Sequence, residues 1–244
     1  MSRLLALTKR ELSAYFFAPV PWVLTFFFLL LTWYFFQWEM SQAYVQVTYA
    51  PVFMALDFIL MFLVPLLTMN SVAEERSRNT LETLLTAPVH DWQVILSKWL
   101  GTFSFYVTML LPTLVYWAIL AYLGQDINKP DAGPILTAYL GALFLGGLYI
   151  AIGIFASSLT EDALMSAFLA FFILISMLSI GVLPFMRESA PSWMRDTAEY
   201  LSQNLHFAEF LKGRIDAYDV TYFVTLTAFF LFLAVRSLES RKWR

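Results

Sequence analysis

The chain has 244 residues, of which 60% are hydrophobic, 18% aromatic and 14% charged, and its formal net charge is −3. Soluble domains are nearer half apolar and a quarter charged, so an ordinary water-soluble fold is excluded. The absence of Cys removes disulfides, thiol nucleophiles and Cys-ligated zinc, and no long basic run invites nucleic acid.

Apolar runs of about 20 residues recur along the chain, each long enough to cross a bilayer. They predict an all-α membrane protein with six transmembrane helices in a single domain over residues 1–244. Too little sequence is left over for a soluble catalytic domain. The first element is a short helix over residues 2–16. Leu5, Leu12 and Phe16 share one arc, flanked by Leu4 and Tyr15, with Arg3 and Arg10 opposite. That pattern suits a helix lying in the membrane interface, ending where Pro19-Val20-Pro21 turns the chain. The first span covers about residues 20–38. It lacks a small-x-small cleavage signal and is expected to be retained rather than removed as a signal peptide.

The remaining spans are expected at about 51–71, 93–123, 134–157, 163–186 and 219–237. Basic residues orient them. On the cytoplasmic side fall Arg3, Lys9 and Arg10 before span one, Arg76 and Arg78 between spans two and three, Lys98 near the start of span three, Arg236 at the end of span six, and Arg241, Lys242 and Arg244 after it. The positive-inside rule then puts both termini in the cytoplasm. In span four, Ala138, Ala142, Gly146, Gly153 and Ser157 form a stripe of small residues for close helix packing, within the chain rather than as a dimer seam. Between spans five and six, Ser192–Gly213 carries Trp193, Tyr200, Leu201, Leu205, Phe207, Phe210 and Leu211. Such apolar content predicts one or two short re-entrant or interfacial helices at the outer leaflet.

The segment Asn70–Lys98 is unlike the rest. Glu74, Glu75, Arg76, Arg78 and Glu82 keep its first half out of hydrocarbon, yet Leu81, Leu84 and Leu85 make an i, i+3, i+4 face. The expected element is a short amphipathic helix capped by Asn79 or Thr80 and stopped by Pro88, with Asp91 capping span three. It is either a membrane-surface connector or a knob for a soluble partner. Farther on, Ser158-x-x-Glu161 fits a capping box at the start of span five.

Other polar and special residues have competing readings. Asp57 lies two turns into span two, and an intramembrane acid is a pathway or gate candidate unless it reaches water or pairs with another helix. Pro65 and Pro112 are expected kink sites. His206, beside Phe207, is either a pathway residue or a hydrogen-bonded structural one. Trp22, Trp38, Trp92, Trp99 and Trp193 are expected mostly as interface anchors. With His90 and His206 far apart no H-x-x-x-H metal site exists, and no P-loop or G-x-S-x-G elbow occurs, so no catalytic, cofactor or metal residue is expected.

The run Glu74-Glu75-Arg76-x-x-x-Thr80-Leu81-Glu82-x-Leu84-Leu85-Thr86-x-Pro88-Val89 resembles the signature of type-2 ABC exporter permeases. So do Ser157-Ser158-Leu159-Thr160-Glu161, the basic N-terminal helix and the six-span plan. His206-Phe207-x-x-Phe210-x-x-Gly213-x-Ile215-Asp216 and the end Arg236–Trp243 are similar to the gliding-motility branch. The resemblance implies a permease subunit of a bacterial inner membrane that forms half of a translocation pathway. Glu74, Glu75, Thr80, Leu81, Glu82, Leu84, Leu85 and Pro88 would form the coupling helix, and Asp57, His206, Phe207 and Phe210 are the pathway or gate candidates. It further implies two copies of a separate ATP-binding subunit, which would hold ATP and Mg, and a second permease copy or related permease. The branch adds a membrane-anchored protein with a large periplasmic domain. The alternative is a gradient-driven secondary transporter or channel subunit, which would need several buried charges along one path.

Overall fold

The computed structural model describes residues 2–42, 50–77, 90–123, 132–182, 193, 197 and 200–240. Its helices are α1 (Ser2–Phe17), α2 (Pro19–Gln42), α3 (Ala50–Thr68), α4 (Ala73–Ser77), α5 (Asp91–Leu110), α6 (Leu114–Leu123), α7 (Ala132–Leu159), α8 (Ala163–Val182), α9 (Gln203–Leu211) and α10 (Ala217–Glu239). Among the described residues, six helical stretches are long and apolar enough to cross a membrane: α2, α3 with α4, α5 with α6, α7, α8 and α10.

Local sequence sets the breaks. Pro19 opens α2 directly after α1, since the missing N–H costs nothing in a first turn. Pro112 does more than kink its span: it divides the span at a 3₁₀ turn, Leu111–Thr113, between α5 and α6. Pro65 is accommodated inside α3.

α7 is the central helix, packing against α3, α5, α8, α9 and α10. Its most apolar window is 72% buried, against 22% for α8 and for α10. Outward faces of the peripheral helices carry Phe26, Phe27, Trp33, Phe168, Phe172 and Phe232, an apolar exterior that suits lipid. The small residues of α7 lie inward, with Ala138, Ala142 and Ser157 all buried. A Cβ on Gly153 would lie 2.8 Å from Thr68 Cβ, and one on Gly146 would meet the Tyr106 ring at 2.3 Å. The stripe therefore serves packing within the chain.

Two expected caps are corrected. Span five is capped by Asp162, whose Oδ1 accepts from Met165 N at 3.0 Å, while Ser158 remains in α7 and its hydroxyl donates to Phe155 O. Asp162 sits at the turn itself, where its carboxylate reaches the free amides. Span three is capped from His90, whose N–H donates to Gln93 Oε1 at 3.2 Å; Asp91 is the first helical residue, favourable to the helix dipole but not the cap. The proposed caps Asn79 and Thr80 lie outside the described residues.

Gly153→Ala should lower the thermal midpoint of the purified protein, because the β-branched Thr68 has no rotamer that clears the new methyl. Overpacking of this kind costs about 1–3 kcal/mol. Gly133→Ala, with nothing within 4 Å of the added carbon, should leave the midpoint unchanged. Equal midpoints for both variants would show that α3 and α7 do not approach this closely.

Candidate functional site

Two polar assemblies sit at opposite ends of the bundle. The first gathers where α1, α4, the start of α5 and the ends of α7 and α10 meet. At the α3–α4 turn the backbone leaves the helix, and Ser157 of α7 closes it. Its hydroxyl accepts from Val72 N and Ala73 N, both at 3.0 Å, and donates to Met69 O at 3.1 Å. Arg76 reaches the C-terminal end of α7, donating to Ser158 O at 3.0 Å and Thr160 O at 3.2 Å, with Glu161 at 3.8 Å. Those carbonyls have no helical partner, and a cation there also meets the negative end of the dipole. Ser237 of α10 donates to the same Ser158 carbonyl at 3.0 Å.

Lys98 organises the neighbouring corner. It is almost fully buried, at 2% exposure, and its Nζ lies 2.9 Å from Glu75 and 3.4 Å from Glu11 of α1. Arg10 bridges the same two carboxylates from outside, at 2.7 Å from Glu11 and 3.4 Å from Glu75. Close contact at Gly101, where a Cβ would lie 2.7 Å from Glu11 Cβ, brings α1 against α5. Tyr15 completes that seam: it accepts from Thr102 Oγ1 at 2.8 Å and donates to Leu67 O at 3.4 Å. Burial, with the Glu11 charge adding and the Thr102 bond opposing, pushes the Tyr15 hydroxyl up to about 12, so it stays a donor at neutral pH.

The second assembly lies toward the other end, around α9. Asp57 accepts from Tyr149 Oη at 2.6 Å, and Gln203 Nε2 donates to the same phenolic oxygen. Three helices, α3, α7 and α9, thus share one buried chain of hydrogen bonds. His206 Nδ1 lies 2.6 Å from Asp219 of α10, its Nε2 is 3.1 Å from Tyr200 O, and its ring stacks on Tyr222 at 4.0 Å. Tyr222 donates to Leu201 O at 2.7 Å and Thr137 to Phe210 O at 2.7 Å. Phe207 and Phe210 fill the space over Gly141 that a side chain would take.

The structure therefore brings Glu75 and Arg76 into the first assembly, with Glu74 on the same short helix. It brings Asp57 and His206 into two neighbouring polar clusters around α9, beside Phe207 and Phe210. Thr80, Leu81, Glu82, Leu84, Leu85 and Pro88 lie outside the described residues. Asp57 pairs with another helix rather than standing alone. Sequence reasoning missed Glu11, Tyr149, Gln203 and Asp219, and read Lys98 only as a charge that orients its span. Trp99 is less an anchor than a packing residue, stacked on Phe103 at 4.9 Å and donating to Gly147 O at 2.9 Å. Among the described residues, no three His, Asp or Glu side chains come together to hold a metal ion.

The model of a family described as ABC-2 family transporter protein matches residues 36–235, from the end of α2 to the end of α10. This chain belongs to the ABC-2 transporter family. Both assemblies lie largely within the matched residues, while α1 precedes them. No curated protein matches the sequence. Membership makes the chain a multi-pass ABC transporter permease, a membrane transport component that is not itself catalytic, and it implies an ABC ATP-binding partner.

Removing Lys98 would take from Glu11 and Glu75 their buried cation, while Arg10, half exposed, would still reach them from outside. Breaking a buried ion pair from one side costs about 3–5 kcal/mol. Lys98→Met should therefore lower the thermal midpoint sharply, and Glu75→Gln should cost less because Glu11 still meets Lys98. Midpoints in the reverse order would overturn this account of the corner.

Proposed function

We propose that this chain forms half of a translocation pathway in a bacterial inner membrane, with both termini in the cytoplasm. It works as a dimer, or beside a related permease, driven by two copies of an ATP-binding subunit that carries ATP and Mg. One observation carries the reading: the segment just before residues 78–89 is fastened on two sides. Ser157 and the α7 carbonyls grip Val72–Arg76, and Lys98 ties Glu75 to α1 and α5. A force arriving at the apolar face of Leu81, Leu84 and Leu85 would pass through this junction into α3, α5 and α7. Motion of packed helices as bodies is the usual form of such transmission.

In this reading Glu74, Glu75, Thr80, Leu81, Glu82, Leu84, Leu85 and Pro88 belong to a coupling helix, and α1 lies in the cytoplasmic interface. α9 is re-entrant from the periplasmic side. Its Phe210 end meets Thr137 near the start of α7, and its Gln203 end meets Tyr149, twelve residues or roughly 18 Å farther along. Asp57, His206, Phe207 and Phe210 then line or latch the outer part of the path. The similarity of the α9–α10 region to the gliding-motility branch suggests an accompanying protein with a large periplasmic domain.

Leu84→Asp combined with Leu85→Asp should leave the permease inserted but unable to co-purify with its ATP-binding subunit. Each buried Leu is worth about 1.5–3 kcal/mol, so losing two weakens docking well over tenfold. Wild-type stoichiometry in the double variant would remove this helix as the docking element.

A further inference from the structure

Both ring nitrogens of His206 face oxygen atoms. Nδ1 lies 2.6 Å from Asp219 Oδ1 in the first turn of α10, and Nε2 lies 3.1 Å from the Tyr200 carbonyl ahead of α9. A carbonyl oxygen has no proton to give, and an ionised carboxylate only accepts. A neutral imidazole carries one N–H and one lone pair, so it can serve one of these oxygens and not the other. The second contact would then set lone pair against lone pair at hydrogen-bond distance. Water offers little relief, because the His206 and Asp219 side chains are only 5% and 6% exposed.

One further proton satisfies every contact. As an imidazolium, His206 donates to both oxygens, and the buried pair with Asp219 becomes electrically neutral. The same proton placed on Asp219 would also complete the bonds, but the surroundings favour it on the ring. Tyr222 lies face-on to His206, with centroids 4.0 Å apart and planes 22° off parallel, where a ring face attracts a cation. Among the described residues, His206 is the one basic side chain within ion-pair distance of Asp219. The other elements packed against α9 add few titratable groups. α8 carries none, while α3 and α7 present Asp57 and Tyr149, which are bonded to each other and to Gln203. α10 adds Tyr218, with its ring 5.1 Å away, and on α9 itself Glu209 is engaged by Lys212 and Arg214.

We infer that His206, held by Asp219 and the Tyr200 carbonyl, binds one exchangeable proton that latches α9 to α10. Loss of the proton turns one of the two His206 bonds into a repulsion and leaves a net charge in a buried site. α9 then loosens from α10, and Gln203, one turn earlier on the same helix, loses its fixed position against Tyr149 and Asp57. The latch is closed while the proton is held and opens as pH rises. A proton thereby decides whether α9 stays fastened to the α3–α7 pair.

The test uses the full chain in lipid bilayers; it has two His and no Cys. His90→Asn, which keeps a favoured helix cap, leaves His206 as the single His for nitrogen-15 labelling. At about pH 7.5 a free imidazole, with its midpoint near ~6.5, mostly holds one ring proton, whereas the His206 spectrum should show both nitrogens protonated. Spin labels on cysteines introduced at the exposed Leu205 of α9 and Val224 of α10 report the separation of the two helices. From about pH 7.5 to about 9.5 the ratio of far to near label pairs should grow roughly tenfold, the worth of one charge-assisted hydrogen bond. Asp219→Asn offers an amide N–H to Nδ1, so a neutral His206 meets both contacts. In that variant the ring should hold one proton and the labels should ignore pH. A single protonated ring nitrogen with Asp219 in place, or label distances that answer pH alike in both proteins, would overturn the latch. The spectrum of the His90→Asn chain decides by itself if Asp219→Asn does not fold.

Discussion

In hydrocarbon a backbone N–H or C=O that leaves the helical ladder has no water to turn to. The architecture around α7 follows from that constraint. Where α3 gives way to the turn before α4, Ser157 takes two amide protons and returns one hydroxyl proton to a carbonyl. Where α9 ends, Thr137 takes up the Phe210 carbonyl. Where α7 itself ends, Arg76 and Ser237 share the Ser158 carbonyl. The central helix therefore supplies polar closure at both ends while its middle is small enough for Thr68 and Tyr106 to press against its backbone.

These closures also make mechanical sense of the chain as a permease. α3 touches both assemblies: Asp57 enters the hydrogen-bonded chain with Tyr149 and Gln203, and the turn after Thr68 enters the Ser157 junction. α7 does the same through Tyr149 and Ser157. Two parallel struts thus join the α9 region to the segment that precedes residues 78–89. Because their contact is close-packed at Gly153, a push at one end is borne by sliding or tilting of the pair rather than by local bending.

Much of this was legible in the sequence. Apolar runs marked six membrane-length helices, the Pro19-Val20-Pro21 punctuation marked the elbow, and the spacing of small residues marked the packed face of α7. Partners were not legible. Tyr149 sits in an unbroken apolar stretch, and nothing local distinguishes it from a lipid-facing aromatic until Asp57, far back in the chain, is seen beside it. Lys98 read as one of the flanking charges that orient a span, yet it is buried between acids from two other helices. The helical wheel of α1 pointed to Leu5, Leu12 and Phe16 flanked by Tyr15, and Tyr15 and Phe16 do pack on Phe105 of α5, but the Glu11 half of that seam is polar and left no periodic apolar signature. The Ser158-x-x-Glu161 pattern misled for a related reason. A capping motif is local, and the helix end lay a few residues farther on, where Asp162 does the capping.

The Glu11–Lys98 pair spans a sequence separation of 87 residues. At about 5–20 residues per second, a ribosome needs roughly 4–17 s to make the intervening chain. During that interval Glu11 has Arg10 beside it but not yet Lys98, while α2 and α3 are already being handed to the membrane. The amphipathic surface of α1 is available to hold it near the elbow until Lys98 emerges. The order of synthesis therefore gives Leu5, largely exposed in the finished fold, a temporary employment: it keeps the first helix waiting at the right address.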